Sequence, residues 1–512
     1  MGYVGNVAQF VMETAGFTFK RDDKLTYPTA LVDGTRNVNY HEGGIGKRGG
    51  TSTLLSTIVA TNPAGRGIVN FRLQNGTTYI VFATSDGKVY HTNYSNEIAT
   101  GMSTSNYFNF STFNNELYIC DGATVPKYWT GGGTVSSVTS ATSWTTNGYP
   151  FQMIPHARGS NARQWAITKD SVWASKNNDG HNFSDAEVKQ IPVYTDGGLV
   201  GGIDFGGTLI VFSKTKAYII DDTDIDPDNW GYSESIWEGG ASSWRLITQA
   251  GNNVYVWTDE GLVYTIAGVQ ATGDYVASSV TRPAYIDRWI RENVIRANVQ
   301  NFHVVYDRTL RCLNYFIQVG GSTNNTNLKY FIDRTPDNAW VVHDNQSYDS
   351  GFKAAASCEV LVSVGLYKIY TQNYVGQIWK HEQTTFSDNS NGYKASVKFK
   401  PFDFENLEMN KHFRSASLRV KSASNAGLTI RPYIDGTRKR DIEIDLVGSG
   451  SVFDTAIFDT SVFATDGLVT DPFTLGYYGF DIQFEIFNET SGEDFFLSLL
   501  IVNFKNNGVF TK

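Results

Sequence analysis

The sequence predicts an all-β protein: a β-propeller of six to eight blades, then a C-terminal antiparallel β-sandwich, with one short amphipathic helix. The first observation is composition, since charged residues make up 18% of the 512 residues, aromatic residues 14%, and glycine is abundant at 49. Such a mixture favours short strands joined by turns and disfavours coiled coils, helical bundles and disordered chains. The second is a repeated pair of apolar runs, and the third is strict alternation of apolar and polar residues near the C-terminus.

The repeated unit is an apolar strand, a short polar turn and a second strand that carries aromatic residues. It reads TYIVFATSDGKVYHTN from Thr78, GTLIVFSKTKAYIID from Gly207 and NNVYVWTDEGLVYTIAG from Asn252. The first strands are centred mostly about 40 to 50 residues apart, as in propellers with four-stranded blades. These centres are Tyr79, Tyr118, Trp165, Ile210, Tyr255, Val304 and Tyr370.

The larger last gap between these centres holds an extra hairpin at Tyr330, and we assign residues 56–390 to the propeller. A long series of β-sandwiches is the alternative, but it would show turns without the longer repeat. The pattern PAYIDRWIRENVIRANVQ interrupts the strands and places Ile286, Trp289, Ile290 and Val294 on one helical face. Packing against a sheet is the expected use of that face, and docking of a partner is the alternative.

Residues 391–512 form the predicted sandwich, because segments such as YKASVKFKPFDF and GFDIQFEIFNE alternate with period two. Its charges are segregated: residues 394–440 hold eleven Lys or Arg, and residues 441–504 hold twelve Asp or Glu. We favour neutralisation between neighbouring strands, with contact between subunits of a ring as the alternative. Residues 1–55 form an N-terminal arm that contains strands but no core, so it should pack on the C-terminal region or on a neighbouring subunit.

Net charge and cysteine content limit the partners and the compartment. Forty-two basic and 51 acidic residues give a net charge of −9, so stable binding to a phosphate backbone is not expected. Cys120, Cys312 and Cys358 are far apart, which argues against a disulfide framework and favours a reducing cytoplasm. The sequence shows neither a signal-peptide pattern nor a long apolar run, so we expect no membrane insertion.

Motifs that would carry chemistry are incomplete, so we predict no catalytic residue, no cofactor, no metal and no enzymatic activity. The segment GGIGKRGGTS resembles a phosphate loop, but His41 stands where the first glycine is needed and Arg48 where Ser or Thr is needed. His381 and Glu382 are followed by Gln-Thr-Thr, so the zinc-protease pattern H-E-x-x-H is not completed.

Alternating carboxylates in DDTDIDPDNW suggest a second candidate site, a Ca²⁺ loop. They are Asp222, Asp224, Asp226 and Asp228. An EF-hand would need glycine where Pro227 stands and glutamate where Ser233 stands, so we favour a solvated turn that closes before Trp230. Seven tryptophans could stack on sugars or bases, but packing between blades is the expected role. They are Trp129, Trp144, Trp165, Trp173, Trp237, Trp244 and Trp257.

The segments DGTRNVNYHEGGIGKRGGTSTL, just before the first blade, and GGLVGGIDFGGTLIVFSKTKAYII, in the middle of the chain, resemble the tail nozzle (tail hub) proteins of short-tailed double-stranded DNA bacteriophages. DGTRNVNYHEGGIGKRGGTSTL resembles an early segment of that family with a Gly-x-x-x-Arg-Pro-Gly-like strand; Arg48 and Gly50 match, and Gly49 replaces the proline. GGLVGGIDFGGTLIVFSKTKAYII, a blade ending in TIAG, the following helix and the closing sandwich are similar to that family in their order.

The resemblance implies a structural virion protein. Six copies would form a ring below the portal and adaptor proteins, with a channel through which viral DNA passes without sequence-specific binding. Fibres, spikes or a needle would attach to it, and assembly would take place in the cytoplasm of the host bacterium. The alternatives are a neck or distal tail component of a long-tailed phage, or a sialidase-like propeller that binds or cleaves glycans. The glycan alternative predicts an acid pair and an arginine cluster at one end of the propeller channel.

Overall fold

The computed structural model describes thirteen stretches of the chain. They are residues 6–11, 32–41, 43–56, 63–159, 161–235, 237–268, 275–332, 340–345, 351–404, 408–422, 426–446, 468–469 and 472–509. Within them the predicted all-β fold is confirmed, since strands form seven four-stranded sheets and two larger sheets. The four strands that precede the first four-stranded sheet are β1 (Asn6–Val11), β2 (Val38–His41), β3 (Gly44–Lys47) and β4 (Gly50–Leu55).

Six of the four-stranded sheets each use four consecutive strands in antiparallel order. The first sheet contains β5 (Gly65–Arg72), β6 (Thr78–Thr84), β7 (Lys88–His91) and β8 (Glu97–Ala99). The second contains β9 (Asn109–Phe113), β10 (Glu116–Cys120), β11 (Lys127–Trp129) and β12 (Ser136–Ser137). The third contains β13 (Gln152–Arg158), β14 (Asn161–Ile167), β15 (Ser171–Ala174) and β16 (Lys189–Pro192). The fourth sheet contains β17 (Leu199–Phe205), β18 (Thr208–Ser213), β19 (Ala217–Asp221) and β20 (Gly231–Glu234). The fifth contains β21 (Ile247–Ala250), β22 (Asn253–Trp257), β23 (Val263–Gly268) and β24 (Tyr275–Ser279). The sixth contains β25 (His303–Asp307), β26 (Cys312–Ile317), β27 (Thr326–Phe331) and β28 (Trp340–Asp344).

The seventh sheet joins two distant parts of the chain. It contains β29 (Ala354–Ser363), β30 (Leu366–Asn373) and β31 (Ile378–Gln383), and its fourth strand is β4 from the N-terminal arm. The first strands of successive sheets contact one another from β5 to β29, and β29 in turn contacts β5. The seven sheets therefore form a closed ring around an axis, which is the arrangement of a propeller.

The phase of the repeat differs from the predicted one. Of the seven predicted centres, only Val304 lies in the first strand of its sheet. The other six lie in second strands: Tyr79, Tyr118, Trp165, Ile210, Tyr255 and Tyr370. Each second strand is covered by neighbouring strands on both edges and by neighbouring sheets on both faces, so it is the most apolar strand and gives the strongest sequence signal. The hairpin at Tyr330 is likewise not extra, since its strands β27 and β28 complete the sixth sheet.

The predicted amphipathic helix is present as α2 (Ile286–Asn293), and a four-residue helix, α1 (Trp144–Asn147), precedes it in the chain. Short 3₁₀ turns lie at Pro227–Asn229, Trp244–Leu246 and Arg296–Asn301. Ile286, Trp289 and Ile290 of α2 are buried in a core shared with the fifth and sixth sheets. The apolar face of this helix is therefore used inside the chain, as expected from its spacing.

The remaining strands form a sandwich of two sheets. They are β32 (Ala395–Lys398), β33 (Met409–Lys421), β34 (Ala426–Ile434), β35 (Thr437–Arg438), β36 (Ile442–Leu446), β37 (Leu468–Val469), β38 (Phe473–Gly479), β39 (Ile482–Asn488) and β40 (Phe496–Val509). One sheet has β33 and β40 at its centre, and the other has β34 and β39. Side chains of both sheets share one buried core, in which Phe413 and Leu500 meet Ile430 and Phe484.

The arm is part of this sandwich within the same chain. One edge of β40 pairs with β33, and successive parts of its other edge pair with β3 and β1. Tyr40 of β2 extends the core to the sixth sheet, because its ring meets that of Phe331 at 5.3 Å and its hydroxyl donates to the Trp340 carbonyl at 3.1 Å. The arm therefore connects the sandwich to the propeller.

Opposite charges in the sandwich pair within the domain, as the sequence analysis favoured. Lys394 lies 2.7 Å from Glu485, and Arg431 lies 2.8 Å from Asp441 and 3.6 Å from Glu485. Arg438 pairs with the same Asp441 at 2.9 Å. Each of these pairs joins the basic part of the domain sequence to its acidic part.

The three cysteines are buried and unpaired, and burial raises the pKa of each thiol. Among the described residues, no helix is both long and apolar enough to cross a membrane.

Replacing Gly50 by alanine should weaken the closure of the seventh sheet. A Cβ atom at this position would lie 2.1 Å from the Ser387 carbonyl oxygen, so the backbone would have to move. Overpacking of this kind costs about 1–3 kcal/mol, measurable as a lower denaturant midpoint. Gly231→Ala is the control, since it also lies in a fourth strand and its Cβ would have no neighbour within 4 Å. Equal midpoints for the two variants would contradict this account of the closure.

Candidate functional site

The arm, the last two sheets and the sandwich meet at a buried polar cluster, which we call the closure junction. It consists of Asn37, Asn39, Lys47, Arg48, Gly49, Gly50, Thr51, Lys329, Glu382, Asp388 and Tyr393. Its centre is Arg48, which follows β3 directly and is 1% exposed. The junction is the candidate functional site, because its contacts hold the propeller and the sandwich together within the chain.

Arg48 forms a bidentate ion pair with Asp388, with nitrogen–oxygen distances of 2.9 Å and 2.6 Å. Its Nε donates to Asn37 at 3.0 Å, and its guanidinium carbon lies 3.7 Å from the centre of the Tyr393 ring. Burial would lower the pKa of Arg48, but Asp388 outweighs burial and raises it. Burial would raise the pKa of Asp388, and the Arg48 charge holds it below its usual range instead.

A second buried pair joins the sixth and seventh sheets. The Lys329 ammonium lies 2.7 Å from one oxygen of Glu382, and the other oxygen accepts bonds from Asn39 at 2.9 Å and from the Gly49 amide at 2.8 Å. Burial would raise the pKa of Glu382, but Lys329 lowers it well below its usual range. Both residues are therefore charged, and the carboxylate binds the arm to the propeller.

Two glycines allow the arm to approach this closely. A Cβ at Gly49 would lie 2.6 Å from the Glu382 Cα atom, and a Cβ at Gly50 would clash with Ser387. The glycines of the segment that resembles a phosphate loop thus serve close packing. Its basic side chains are also engaged, since Arg48 binds Asp388 and Lys47 donates to Asn488 at 2.7 Å.

Another ionic group, centred on the buried His156 and Asp222, lies between the third and fourth sheets. His156 of β13 faces Asp204 of β17 at 3.2 Å and Asp222 at 2.9 Å, and Asp222 also binds Arg158 at 3.1 Å. Burial would lower the pKa of His156, but the two carboxylates outweigh burial and raise it to about 9. An imidazolium with a carboxylate at each nitrogen has no lone pair to accept a proton, so this histidine is unsuited to act as a general base.

The alternating aspartates do not converge on one point. Asp222 is turned to His156, whereas Asp224 and Asp226 accept bonds from the backbone amides of Asp226 and Asp228 at 2.9 Å and 3.0 Å. The indole nitrogen of Trp230 donates to the Asp224 carbonyl at 2.8 Å. This is the turn before Trp230 that the sequence favours. Within the described part of the chain, no group of three or more His, Cys, Asp or Glu side chains could hold a metal ion.

Most of the tryptophans are packing residues, as expected. Those that are buried are Trp129, Trp144, Trp165, Trp173 and Trp257. Trp237 is partly exposed, and Trp244 lines a cavity at the propeller axis. His381, which begins the incomplete H-E-x-x-H pattern, is buried, and its Nε2 atom lies 2.9 Å from the Thr371 hydroxyl oxygen.

The propeller axis holds a cavity of about 240 Å³, which we call the axial pocket. It lies where the first strands begin, and six of the seven sheets contribute to its wall. The polar wall residues are Arg66, Asn109, Gln152, Arg245, His303 and Ser357. The glycan alternative predicts an arginine cluster and an acid pair at one end of the channel. Two arginines do lie there, but the described lining contains no Asp or Glu beside them.

Sequence reasoning singled out Arg48 but missed its partners and the axial residues. Asp388 and Glu382 lie more than three hundred residues away along the chain, and no local pattern connects them to the arm. Arg66, Arg245 and His303 had a weak signal, since each is a basic residue at the start of, or just before, a first strand. Reading the first strands in the correct phase would have shown this recurrence.

No protein-family model matches the chain, and comparison with curated proteins gives no match. Among solved structures, the chain is similar to the N-terminal domain of Nup159, with a TM-score of 0.38 and 9% identity over 72% of this chain and 99% of that one. It is also similar to the β-propeller domain of Cps50 (Swd1) from Myceliophteria thermophila, with a TM-score of 0.41 and 8% identity over 65% of this chain and 99% of that one. The propeller fold itself rests on the sheet order and the closed ring of first strands.

Replacing Arg48 by methionine should strongly destabilise the protein, because Asp388 would remain buried without an opposite charge, with only the hydrogen bonds from Thr51 and Asn345. Breaking a buried pair from one side costs about 3–5 kcal/mol in the free energy of unfolding, measurable by chemical denaturation. Arg36→Met is the matched control, since Arg36 lies in the same arm and pairs with Asp344 of β28, but its side chain is 40% exposed. That change should cost less than about 1 kcal/mol. Similar losses in both variants would contradict the special role of Arg48.

The His156 group should make stability fall at alkaline pH. The folded-state pKa of about 9 exceeds the usual 6.5, so the stabilisation is complete below pH 6.5 and is lost as pH rises through 9. The measurement is the free energy of unfolding of wild type and His156→Gln across this range. The advantage of wild type should shrink with rising pH, and a constant difference would show that the imidazolium is not its source.

Proposed function

We propose that the protein is a structural subunit of a virus particle: the tail nozzle of a short-tailed double-stranded DNA bacteriophage. Six copies would form a ring that continues the DNA channel below the portal and adaptor proteins and anchors fibres, spikes or a needle. The observation that carries the proposal is the position of the segment on which the family resemblance rests. Its Arg48 and Gly50 form the closure junction, where a change would affect the whole body of the subunit.

The way in which the chain closes supports a mechanical role. The arm supplies the fourth strand of the seventh sheet and two strands on the edge of β40, so both domains are tied together by backbone pairing. The Arg48–Asp388 and Lys329–Glu382 pairs fix the same contact through buried charges. A subunit of a channel benefits from such rigidity, because its neighbours then meet a constant surface.

The path of the DNA would lie between subunits. The axial pocket measures about 240 Å³ and is walled by side chains from six sheets, so it has no room for a nucleic acid duplex. A net charge of −9 also suits a wall along which phosphates slide without being held.

The hairpin between β29 and β30 offers a contact for a neighbouring copy. Val362 is 49% exposed, Val364 is fully exposed, and Leu366 is 36% exposed, so three apolar side chains lie together at one tip. Burying them against a neighbour would remove apolar surface from water, which favours association.

Negative-stain microscopy and sedimentation of the purified full chain test the ring. We expect six-fold annuli in wild type and a shift to smaller species in Val364→Asp, because a carboxylate would be buried at the contact. Asn75→Asp is the control, since it adds the same charge to the corresponding hairpin tip of the first sheet. Monomers at every concentration in wild type would overturn the nozzle proposal, and unchanged rings in Val364→Asp would place the contact elsewhere.

A glycan-binding or glycan-cleaving propeller is the second candidate, and the arginines at the axial pocket are the observation that favours it. A glycan array and a hydrolysis screen with purified protein distinguish the two functions. Cleavage of a polysaccharide would favour the glycan candidate. Rings without such activity would favour the nozzle, and rings stacked along a longer tail would favour a neck or distal tail component of a long-tailed phage.

A further inference from the structure

The axial pocket carries two arginines without acidic partners. Arg245 is 7% exposed and donates to the backbone carbonyls of Asn301 at 3.1 Å and of Ala355. Its guanidinium carbon lies 3.5 Å from the centre of the Tyr107 ring, and that of Arg66 lies 5.2 Å from the same ring. Among the described residues, no carboxylate forms an ion pair with Arg66 or Arg245.

Two positive charges that share one aromatic ring repel each other. Burial lowers the pKa of Arg245; Tyr107 and Tyr374 oppose this shift, and the neighbouring Arg66 charge adds to it. His303 adds no third positive charge, because burial and the Arg245 charge hold its pKa well below the usual value and keep the imidazole neutral. Buried charges in proteins are normally paired with an opposite charge, and the described lining of the pocket contains no Asp or Glu.

Polar atoms in the pocket wall are also left for a ligand. The Nε of Arg66 and the Oγ of Ser357 are buried, and neither has a hydrogen-bond partner in the structure. Arg245 already donates to carbonyls, so it would supply mainly charge, whereas Arg66 has its Nε edge free. The Nε and Nη groups of a guanidinium together match the two oxygens of a carboxylate or phosphate.

The rest of the wall limits the ligand to a small molecule. The pocket wall also contains apolar side chains, which would suit an apolar part of the ligand: Ile68, Phe108, Phe110 and Ile247. A cavity of about 240 Å³ is smaller than the pockets that hold drug-sized ligands, so it suits one oxyanion with a small apolar body.

We propose that the axial pocket is a binding site for a small oxyanion, a carboxylate or a phosphate group, held by the free edge of Arg66 beside Arg245. The ligand would neutralise the buried charge where the first strands of six sheets meet. Such a site stabilises the ring of sheets from its axis. It is independent of the nozzle proposal, since it needs neither a ring of subunits nor DNA.

Isothermal calorimetry on the full chain tests the site with two probes, sodium benzoate for a carboxylate with an apolar body and inorganic phosphate for a phosphate group. Sodium chloride at matched ionic strength is the reference. We expect saturable binding of at least one probe, and the better probe identifies the class of anion. Absence of saturable binding for both probes in the millimolar range would overturn the proposal.

Arg66→Gln should weaken binding of the better probe by at least about tenfold, since a charge-assisted pair of hydrogen bonds is removed. Arg66→Lys keeps the charge but loses the planar edge of the guanidinium, so its affinity for the probe should lie between those of wild type and Arg66→Gln. Arg72→Gln is the matched control, because Arg72 lies at the other end of the same strand and is exposed. Equal affinity in Arg66→Gln and Arg72→Gln would show that the anion binds elsewhere.

Discussion

The structure depends on the closing of a ring by a strand that comes from the other end of the chain. The seventh sheet has only three strands from its own part of the sequence, and β4 supplies the fourth. Closure of a loop of more than three hundred residues is unfavourable in entropy, so the contact must be strong. The pairing of β4 with β31 holds the arm through its backbone, and the bidentate pair of Arg48 and Asp388, shielded from water, makes the contact specific. A misplaced arm would leave Asp388 buried without an opposite charge, which penalises alternative registers.

The same arm connects the two domains by backbone pairing. Its strand β3 pairs with β40 of the sandwich immediately before Arg48, and β4 enters the propeller immediately after it. Backbone pairing on both sides leaves only the residues between these strands to accommodate any movement. The glycines at this point are needed for close approach rather than for flexibility, since Gly49 packs against the Glu382 backbone.

Polar chemistry in the described residues is used in two different ways. At the closure junction, in the His156 group and in the sandwich, opposite charges satisfy each other. At the axial pocket, two arginines meet without a carboxylate, which is the reason that we propose an anionic ligand there. A structural subunit and an anion at its axis are compatible, because the anion would strengthen the ring of sheets whatever the assembly outside it does.

The sequence by itself determined the class of fold. Short-range patterns carry this information: apolar second strands such as β6 and β22 recur at blade spacing, Ile286 and Trp289 mark the one amphipathic helix, and alternation marks the sandwich. The same local reading identified the turn before Trp230 and the unusual glycines around Arg48. These features depend on neighbours within a few residues, so they are visible without coordinates.

Only the tertiary structure decided the number of sheets, the phase of the repeat and every pairing of charges. Whether Gly50–Leu55 belongs to the arm or to the seventh sheet depends on a partner strand at the far end of the chain. The axial pocket depends on Arg66 and Arg245 being brought to one axis by the curvature of the whole ring. Such contacts are set by packing between distant segments, and no periodicity in the sequence records them.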